Sequence, residues 1–274
     1  MLALALYSLT LFLSAFLLFA LQPMYAKVVL PFLGGTPAVW NTCMVFFQAF
    51  LLLGYAYSHV STQWLGGRRQ SFLHLLVLAS PLIVLPIALP TGGPSGDAWP
   101  APWLLVLLTT AVGLPFFVVS TSNPLLQHWF ASCGGKAAKD PYVLYAASNL
   151  GSLAALISYP WLIEPNFTVT RQLFAWALGY GALIGATFLC MLVYWRGPKL
   201  AAAADAPEPP AIPAEALLGP NEASSSRKAQ PLDRRVELLW VALGFVPSSL
   251  MLGLTTFITT ELGAIPLLWI VPLT

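Results

Sequence analysis

Long stretches of the chain carry apolar side chains at nearly every position and no charge. These uncharged tracts cover residues 1–26, 28–67, 70–96, 98–135, 141–163, 172–195 and 238–260. Each tract can hold the roughly 20 apolar residues that cross a bilayer as a helix. The pattern therefore predicts transmembrane helices at about 2–25, 38–60, 71–89, 101–122, 141–163, 171–195 and 238–258.

The two ends of the sequence change this picture slightly. Residues 1–26 have no basic n-region and are longer than the apolar part of a signal peptide, so we expect a first helix that is retained. An eighth apolar stretch begins near Ala264, and the sequence stops at Thr274. About ten residues are too few to cross a bilayer. We therefore expect a truncated eighth helix, either in a fragment of a longer protein or in a sequence that lacks its C-terminal part.

Composition excludes the main soluble classes. Hydrophobic residues make up 58% of the chain and charged residues 8%, against about 45–50% and about 25% in typical soluble domains. A net charge of +2 without a basic stripe argues against nucleic-acid binding. We predict an all-α polytopic membrane protein, a bundle of about seven transmembrane helices plus the truncated eighth.

Basic residues predict the orientation of this bundle. Loops 61–70, 131–140 and 196–237 alternate with the other loops and fall on one side. They contain Arg68, Arg69, Lys136, Lys139, Arg196, Lys199, Arg227, Lys228, Arg234 and Arg235. The other side has only Lys27 and Arg171. Because cytoplasmic loops carry the excess of Lys and Arg, we expect a cytoplasmic N-terminus.

The segment 197–235 differs from the rest of the chain in composition. It is rich in alanine, proline and serine and contains the run AAAADAPEPPAIPAEA. Such a segment cannot bury a core, so it predicts a disordered cytoplasmic linker. The expected organisation is a six-helix membrane unit over 1–196, the linker over 197–235, and a seventh helix with the start of an eighth over 236–274.

Polar side chains inside apolar tracts are the first candidates for function, because burying them in hydrocarbon is costly. Tyr145, Asn149 and Ser152 follow Tyr142 at helical spacing and predict a polar stripe on the fifth helix. We expect this stripe to face the interior and to meet Asn123 or Gln127 from the fourth helix. It would then either hold helices together or line a cavity.

Further candidates lie on the first two helices and at the helix ends. Gln22 and Lys27 flank Pro23, while Asn41 and Gln48 lie two turns apart on the second helix. Lys27 is expected to reach the lipid headgroups, and Glu164 and Glu261 to cap helix ends or be solvated there.

Histidine and catalytic motifs give weaker signals. The three histidines, His59, His74 and His128, fall at one predicted depth, but no HxxxH or HxxE spacing supports a metal or tetrapyrrole site, and we expect no cofactor. No Walker, GxSxG, HExxH or GxGxxG motif is present.

Several segments together resemble bacterial membrane-bound spermidine-synthase-like proteins, the fused major-facilitator/spermidine-synthase type. They are LQPM at 21–24, LPFLGGTPAVWNTCM at 30–44, SNPLLQ at 122–127, residues 140–152, SSLMLGLTT at 248–256 and PLLW at 266–269. The resemblance implies a membrane domain followed by a soluble aminopropyltransferase-like domain. The glycine-rich loop and acidic residues of that domain have no counterpart in these 274 residues, so we expect this chain not to be an enzyme.

Three functions remain open on this basis. The first is a membrane anchor or interaction subunit for a catalytic domain or a larger inner-membrane complex. The second is a transporter-like bundle for a small polar or amine solute, and the third is an accessory subunit of an electron-transfer or photosynthetic complex. We favour the anchor, because a cationic amine calls for intramembrane carboxylates and the helix interiors contain none. The expected partners are the bilayer of the bacterial inner membrane and another protein subunit or a downstream catalytic domain.

Overall fold

The computed structural model describes residues 2–90, 92–94, 99–133, 142–204 and 234–261, and within these ranges it contains helices and no strand. The α-helices are α1 (Leu2–Leu33), α2 (Pro37–Leu65), α3 (Gly67–Ala79), α4 (Pro100–Leu108), α5 (Leu114–Ser132), α6 (Tyr142–Ser158), α7 (Glu164–Asn166), α8 (Val169–Ala204) and α9 (Arg234–Glu261). A 3-10 turn (Ser80–Ile83) follows α3, and π-helical turns join α4 to α5 (Thr109–Gly113) and α6 to α7 (Tyr159–Ile163). The prediction of an all-helical chain is confirmed for these residues.

Four helical stretches are long and apolar enough to cross a membrane. They are Leu2–Leu33, Pro37–Leu65, Pro100–Ser132 and Val169–Gly197. Each extends beyond its predicted limits, and the added residues of α1 and α5 include Pro31 and Pro124. Proline in a helix frees a backbone carbonyl, which the neighbouring helices of a bundle can satisfy. The described residues thus support a membrane bundle without confirming seven spans.

The helix predicted at 71–89 is wrong over its second half. The α-helix ends at Ala79, the 3-10 turn contains Pro81, and residues 84–90 are not helical. Pro81 and Pro86 lack the amide hydrogen that a continuing helix needs. The chain still passes through the bundle, since Ile87 is buried and Gly93 lies beside the Phe32 ring near the far end of α1.

One end of the bundle gathers the start of α1, the α2–α3 junction and the ends of α5 and α8. The hydroxyl of Tyr7 lies 3.9 Å from the Cys133 sulfur, and Gly197 packs on the backbone of Cys133. The Trp195 indole donates a hydrogen bond to the hydroxyl of Ser71, 2.9 Å away. The segments that begin the predicted basic loops therefore lie at the same end as the start of α1.

Close packing around α1 positions the other helices. Gly151 of α6 lies so near the backbone of Phe12 that a Cβ at that position would overlap the Phe12 carbonyl oxygen. Ala155, one turn later, is completely buried. By contrast, no described atom lies within 4 Å of a Cβ built at Gly181 or Gly185. Small residues thus allow close approach in α6, whereas the GxxxG pair of α8 has open space where its Cβ atoms would lie, among the described residues.

The helices on both sides of the predicted linker extend beyond their predicted limits. The helix α8 continues to Ala204, so residues 197–204, expected in the linker, are helical. The helix α9 begins at Arg234 rather than at 238, and its side chains with defined exposure are all exposed. The remaining linker residues, 205–233, and the predicted eighth helix lie outside the described residues.

Candidate interaction sites on and between the helices

Two amides of α5 form the polar contact between α5 and α6. The Asn123 side-chain nitrogen donates a hydrogen bond to the Ser148 hydroxyl, 2.9 Å away. Gln127, one turn later, donates to the Asn123 side-chain oxygen, also at 2.9 Å. Ser148 is buried, while Asn123 and Gln127 are half-buried. An interhelical hydrogen bond like that of Asn123 with Ser148 holds membrane helices together, and Gln127 supports it from within α5.

The rest of the predicted stripe does not share this contact. Tyr145 is 51% exposed, Asn149 is exposed, and the half-buried Ser152 donates its hydroxyl hydrogen to the Ser148 carbonyl of its own helix. The prediction that Tyr145, Asn149 and Ser152 face the interior and meet Asn123 or Gln127 is therefore wrong.

The reason lies in the face that α6 turns inward. Its buried residues include Leu144, Ser148, Gly151 and Ala155. Successive residues of an α-helix are rotated by about 100°, so the residue that follows Ser148 points away from the bundle when Ser148 points in. The face with the smallest side chains allows the closest approach to α1, and this packing takes priority over burying the polar stripe. The predicted polar stripe did not include Ser148, although Ser148 is adjacent to Asn149 in the sequence.

Asn149 nevertheless lies at the level of the apolar part of α1. It is two residues from Gly151, which touches the backbone of Phe12, and Phe12 lies well inside the membrane-length helix α1. The Asn149 amide has no hydrogen-bond partner among the described residues. An amide in hydrocarbon without a partner is unfavourable by about 1–3 kcal/mol on mutational scales. The outer face of α6 therefore presents a polar group where lipid tails would otherwise be.

The candidates of the first two helices do not form one site. Gln22 is half-buried and lines a small recess between α1 and α2 with Trp40 and Cys43. Asn41 is half-buried outside that recess, and Gln48 is exposed. The structure therefore does not bring Gln22, Asn41 and Gln48 together around a cavity.

The three histidines also lie in different environments. His59 and His128 are exposed, and His59 pairs with Gln63 one turn away, 3.0 Å between side-chain nitrogens. His74 is completely buried, with its ring 5.7 Å from the Trp129 ring, and neither of its nitrogens has a hydrogen-bond partner in the part of the chain that the structure describes. Across the described ranges, no group of three or more His, Cys, Asp or Glu side chains is placed to hold a metal ion.

A buried amide next to His74 was not singled out in the sequence. Gln70, one turn earlier on α3, is 1% exposed and accepts a hydrogen bond of 2.8 Å from the Trp129 indole. Its side-chain nitrogen has no partner among the described residues. In the sequence, Gln70 directly follows Arg68 and Arg69. Two adjacent basic residues are typical of a loop, so the sequence alone assigns Gln70 to the surface.

An ion pair closes the opposite end of the bundle. The Lys27 ammonium lies 2.7 Å from a carboxylate oxygen of Glu164, and the two side chains are 34% and 26% exposed. This contact joins α1 to α7. Nearby, the Tyr159 hydroxyl donates to the side-chain oxygen of the buried Gln172, 3.2 Å away. Lys27 and Glu164 were expected to act separately at the headgroups, and the structure brings them together.

The cysteines show no sign of reactivity. All three are free, with Cys43 and Cys190 buried and Cys133 half-buried. Burial raises the pKa of the Cys133 thiol above its ordinary value, and the hydrogen bond with Tyr7 only partly opposes this. Because the thiolate is the nucleophile, a protonated Cys133 fits a packing role.

Comparisons with known proteins add no relative. No protein-family model, no curated protein and no solved structure matches the chain.

Proposed function

We propose that this chain is a non-catalytic integral-membrane domain that acts as an anchor or interaction subunit, and that its partner binds the outer face of α6. The observation that carries the proposal is the exposure of Tyr145 and Asn149 at the level of the apolar part of α1. Asparagine amides form hydrogen bonds across membrane helices. A partner helix that supplies such a bond to Asn149 removes the cost of leaving the amide in hydrocarbon.

The packing of the interior supports this choice. Polar side chains in the centre of the bundle are mostly bonded to helix carbonyls, as Thr10 is to Leu6 and Thr121 to Val118. Such residues fill space and leave few groups for a solute. Among the side chains that the structure describes, the carboxylate of Glu164 is already paired with Lys27. A cationic amine would therefore find little to bind inside the described bundle.

The proposal includes a family, a location and a topology. It assigns the chain to the membrane part of a spermidine-synthase-like protein in the bacterial inner membrane, with a cytoplasmic N-terminus and seven crossings. The segments quoted above support the family, and the ten-to-two distribution of Lys and Arg supports the orientation. The broken segment at α3, the α6–α7 segment and α9 would be the additional crossings beside the four long helices.

A transporter-like bundle is the second candidate. One observation favours it: four buried polar atoms, one each on Tyr57 and Gln70 and both ring nitrogens of His74, lack partners among the described residues. Buried polar groups are normally bonded, and exceptions can mark functional positions. The ring of Tyr57 lies 6.4 Å from that of His74, so these groups are neighbours.

Site-specific photocross-linking in native membranes tests the interaction subunit. A photoreactive phenylalanine analogue at Tyr145, which is 51% exposed, should give a protein adduct upon irradiation. The same analogue at Leu189 of α8, which is 49% exposed, is the matched lipid-facing control and should give none. Asn149→Leu should reduce the adduct at position 145.

The adduct itself distinguishes the outcomes. An adduct that joins position 145 to a second protein, or to a second copy of the chain, supports the proposal. Cross-links only within the same chain, or equal adducts at 145 and 189, would contradict it.

A further inference from the structure

A narrow apolar slot lies between α1 and α8, on the side of α1 away from the recess at Gln22. Its volume is about 230 Å3, below the roughly 300–1,000 Å3 of pockets for drug-sized ligands. Along α1 it runs from Leu13 to Met24, about 16 Å at a rise of 1.5 Å per residue. A small volume spread over this length fits a linear chain better than a compact polar solute.

Small residues create the slot and a bonded tryptophan forms its wall. Ala20 faces it from α1, and Ala175 and Gly179 face it from α8. The Trp176 indole, also in the lining, donates a hydrogen bond of 2.8 Å to the Leu17 carbonyl across the two helices. That bond holds the wall in place, so the slot belongs to the packed structure.

The slot opens at the outside of the bundle beside a cation. Leu17, Ala20 and Trp176 in its depth are at most 3% exposed, whereas Phe167, Arg171 and Ala175 at its mouth are exposed. The mouth lies at the end of the bundle that holds the ion pair of Lys27 with Glu164.

Arg171 supplies the excess charge of this mouth. Among the described residues, Arg171 has no carboxylate partner, and Glu164 is paired with Lys27. Gln172, the other polar residue of the lining, is already bonded to Tyr159 and to the Phe167 carbonyl. An apolar slot that ends at one unpaired cation is complementary to an acyl chain with a negatively charged head.

We infer that the α1–α8 slot is a binding site for an anionic phospholipid, with one acyl chain along Leu17, Ala20 and Gly179 and the headgroup at Arg171. A zwitterionic lipid with the same chains fills the slot equally well but gains nothing from the guanidinium. No residue of α6 lines the slot, so the site is separate from the proposed partner surface.

Lipid exchange on the purified chain tests the headgroup. The chain is reconstituted in nanodiscs containing equal amounts of phosphatidylglycerol and phosphatidylcholine with matched chains, and lipids retained after extraction are counted by native mass spectrometry. We expect about a fivefold preference for phosphatidylglycerol, which corresponds to one basic residue acting on an anionic lipid. Arg171→Gln should abolish it. Arg196→Gln, an exposed arginine near the other end of α8, is the matched control and should keep it.

A second pair of variants tests the slot. Gly179→Leu places a side chain where Leu17 already lies 3.0 Å from a Cβ, and should reduce retention of both lipids. Leu178→Phe adds bulk at an exposed neighbour outside the lining and should change nothing. Thermal unfolding of each variant shows that it is folded, and Arg171→Gln at the exposed mouth remains informative if Gly179→Leu does not fold.

Several results would overturn the inference. They are equal retention of the two lipids by the unmodified chain, an unchanged preference in Arg171→Gln, or unchanged retention in folded Gly179→Leu. Recovery of a free fatty acid instead of a phospholipid would also overturn it.

Discussion

The side-chain amide of Asn123 in α5 donates a hydrogen bond of 2.9 Å to the hydroxyl of Ser148 in α6, and Gln127 bonds to the other end of the same amide. This chain of three polar residues ties two helices together inside an otherwise apolar interface. Asn149, the next residue along α6, is rotated about 100° from Ser148 around the helix and is exposed. Two adjacent polar residues therefore have different roles, one in stability and one in contact with the surroundings.

The first prediction concerns the stability that this bond provides. Ser148→Ala and Asn123→Leu should each lower the free energy of unfolding by about 0.6–2 kcal/mol, because each removes an interhelical hydrogen bond. The double variant should lose less than the sum. Ser152→Ala, whose hydroxyl bonds only to its own helix, is the control and should stay within about 0.5 kcal/mol. Denaturation in detergent measures all four, and an additive double variant would refute the coupling.

The second prediction concerns the closest approach of α1 and α6. Gly151→Ala should destabilise the bundle by about 1–3 kcal/mol, since the added methyl group overlaps the Phe12 carbonyl and forces the helices apart. Gly181→Ala, where a Cβ meets no described atom within 4 Å, should be neutral or raise stability by up to about 1 kcal/mol through helix propensity. Thermal melts compare the two, and equal effects would argue against the tight α1–α6 contact.

The third prediction concerns the ion pair of Lys27 and Glu164. The side chains are 34% and 26% exposed, so the pair should contribute only about 0–1 kcal/mol. Lys27→Glu and Glu164→Lys should each lower the melting temperature through like-charge repulsion, and the exchanged double variant should recover most of the loss. The single-variant losses should shrink at high salt, because salt screens partly exposed charges. No recovery in the double variant would show that the two charges act separately.

The fourth prediction separates two buried polar residues of α3. Gln70→Leu leaves the buried Trp129 indole without an acceptor and should cost about 1–3 kcal/mol. His74→Leu removes nitrogens that have no partner among the described residues and should leave stability unchanged or raise it. Unfolding of the purified variants tests both. A large loss in His74→Leu would reveal a bound group at the imidazole and would favour the transporter-like alternative.

The fifth prediction concerns topology. With the native cysteines replaced, Ser224→Cys in the linker should react with a membrane-impermeant maleimide only after the cells are opened, because ten of twelve basic residues mark that side as cytoplasmic. Protease added to inverted vesicles should cut the same segment. Labelling of position 224 from the periplasm of intact cells would reverse the orientation.

Much of the helical layout follows from local sequence. In a bilayer, an apolar tract must satisfy the hydrogen bonds of its own backbone, and only a helix does so within one segment. The helices predicted at 2–25, 38–60 and 171–195 are present in the structure as α1, α2 and α8. Prolines were harder to interpret. Pro23 and Pro124 are accommodated inside long helices, whereas Pro81 and Pro86 end one. Each of these prolines lies in an apolar tract, so the local pattern does not tell a proline inside a helix from one at its end.

The direction in which each side chain points depends on the whole bundle. Spacing alone placed Tyr145, Asn149 and Ser152 on one face of α6 but could not say which face turns inward. The backbone contact of Gly151 with Phe12 sets that rotation, because close packing along α1 outweighs the cost of leaving one amide outside. The meeting of Lys27 with Glu164 likewise requires α1 and α7 to be adjacent, and the slot beside Arg171 requires the same of α1 and α8. Composition and charge spacing specify a membrane bundle and its segments, whereas the contacts between segments distant in sequence form the candidate sites.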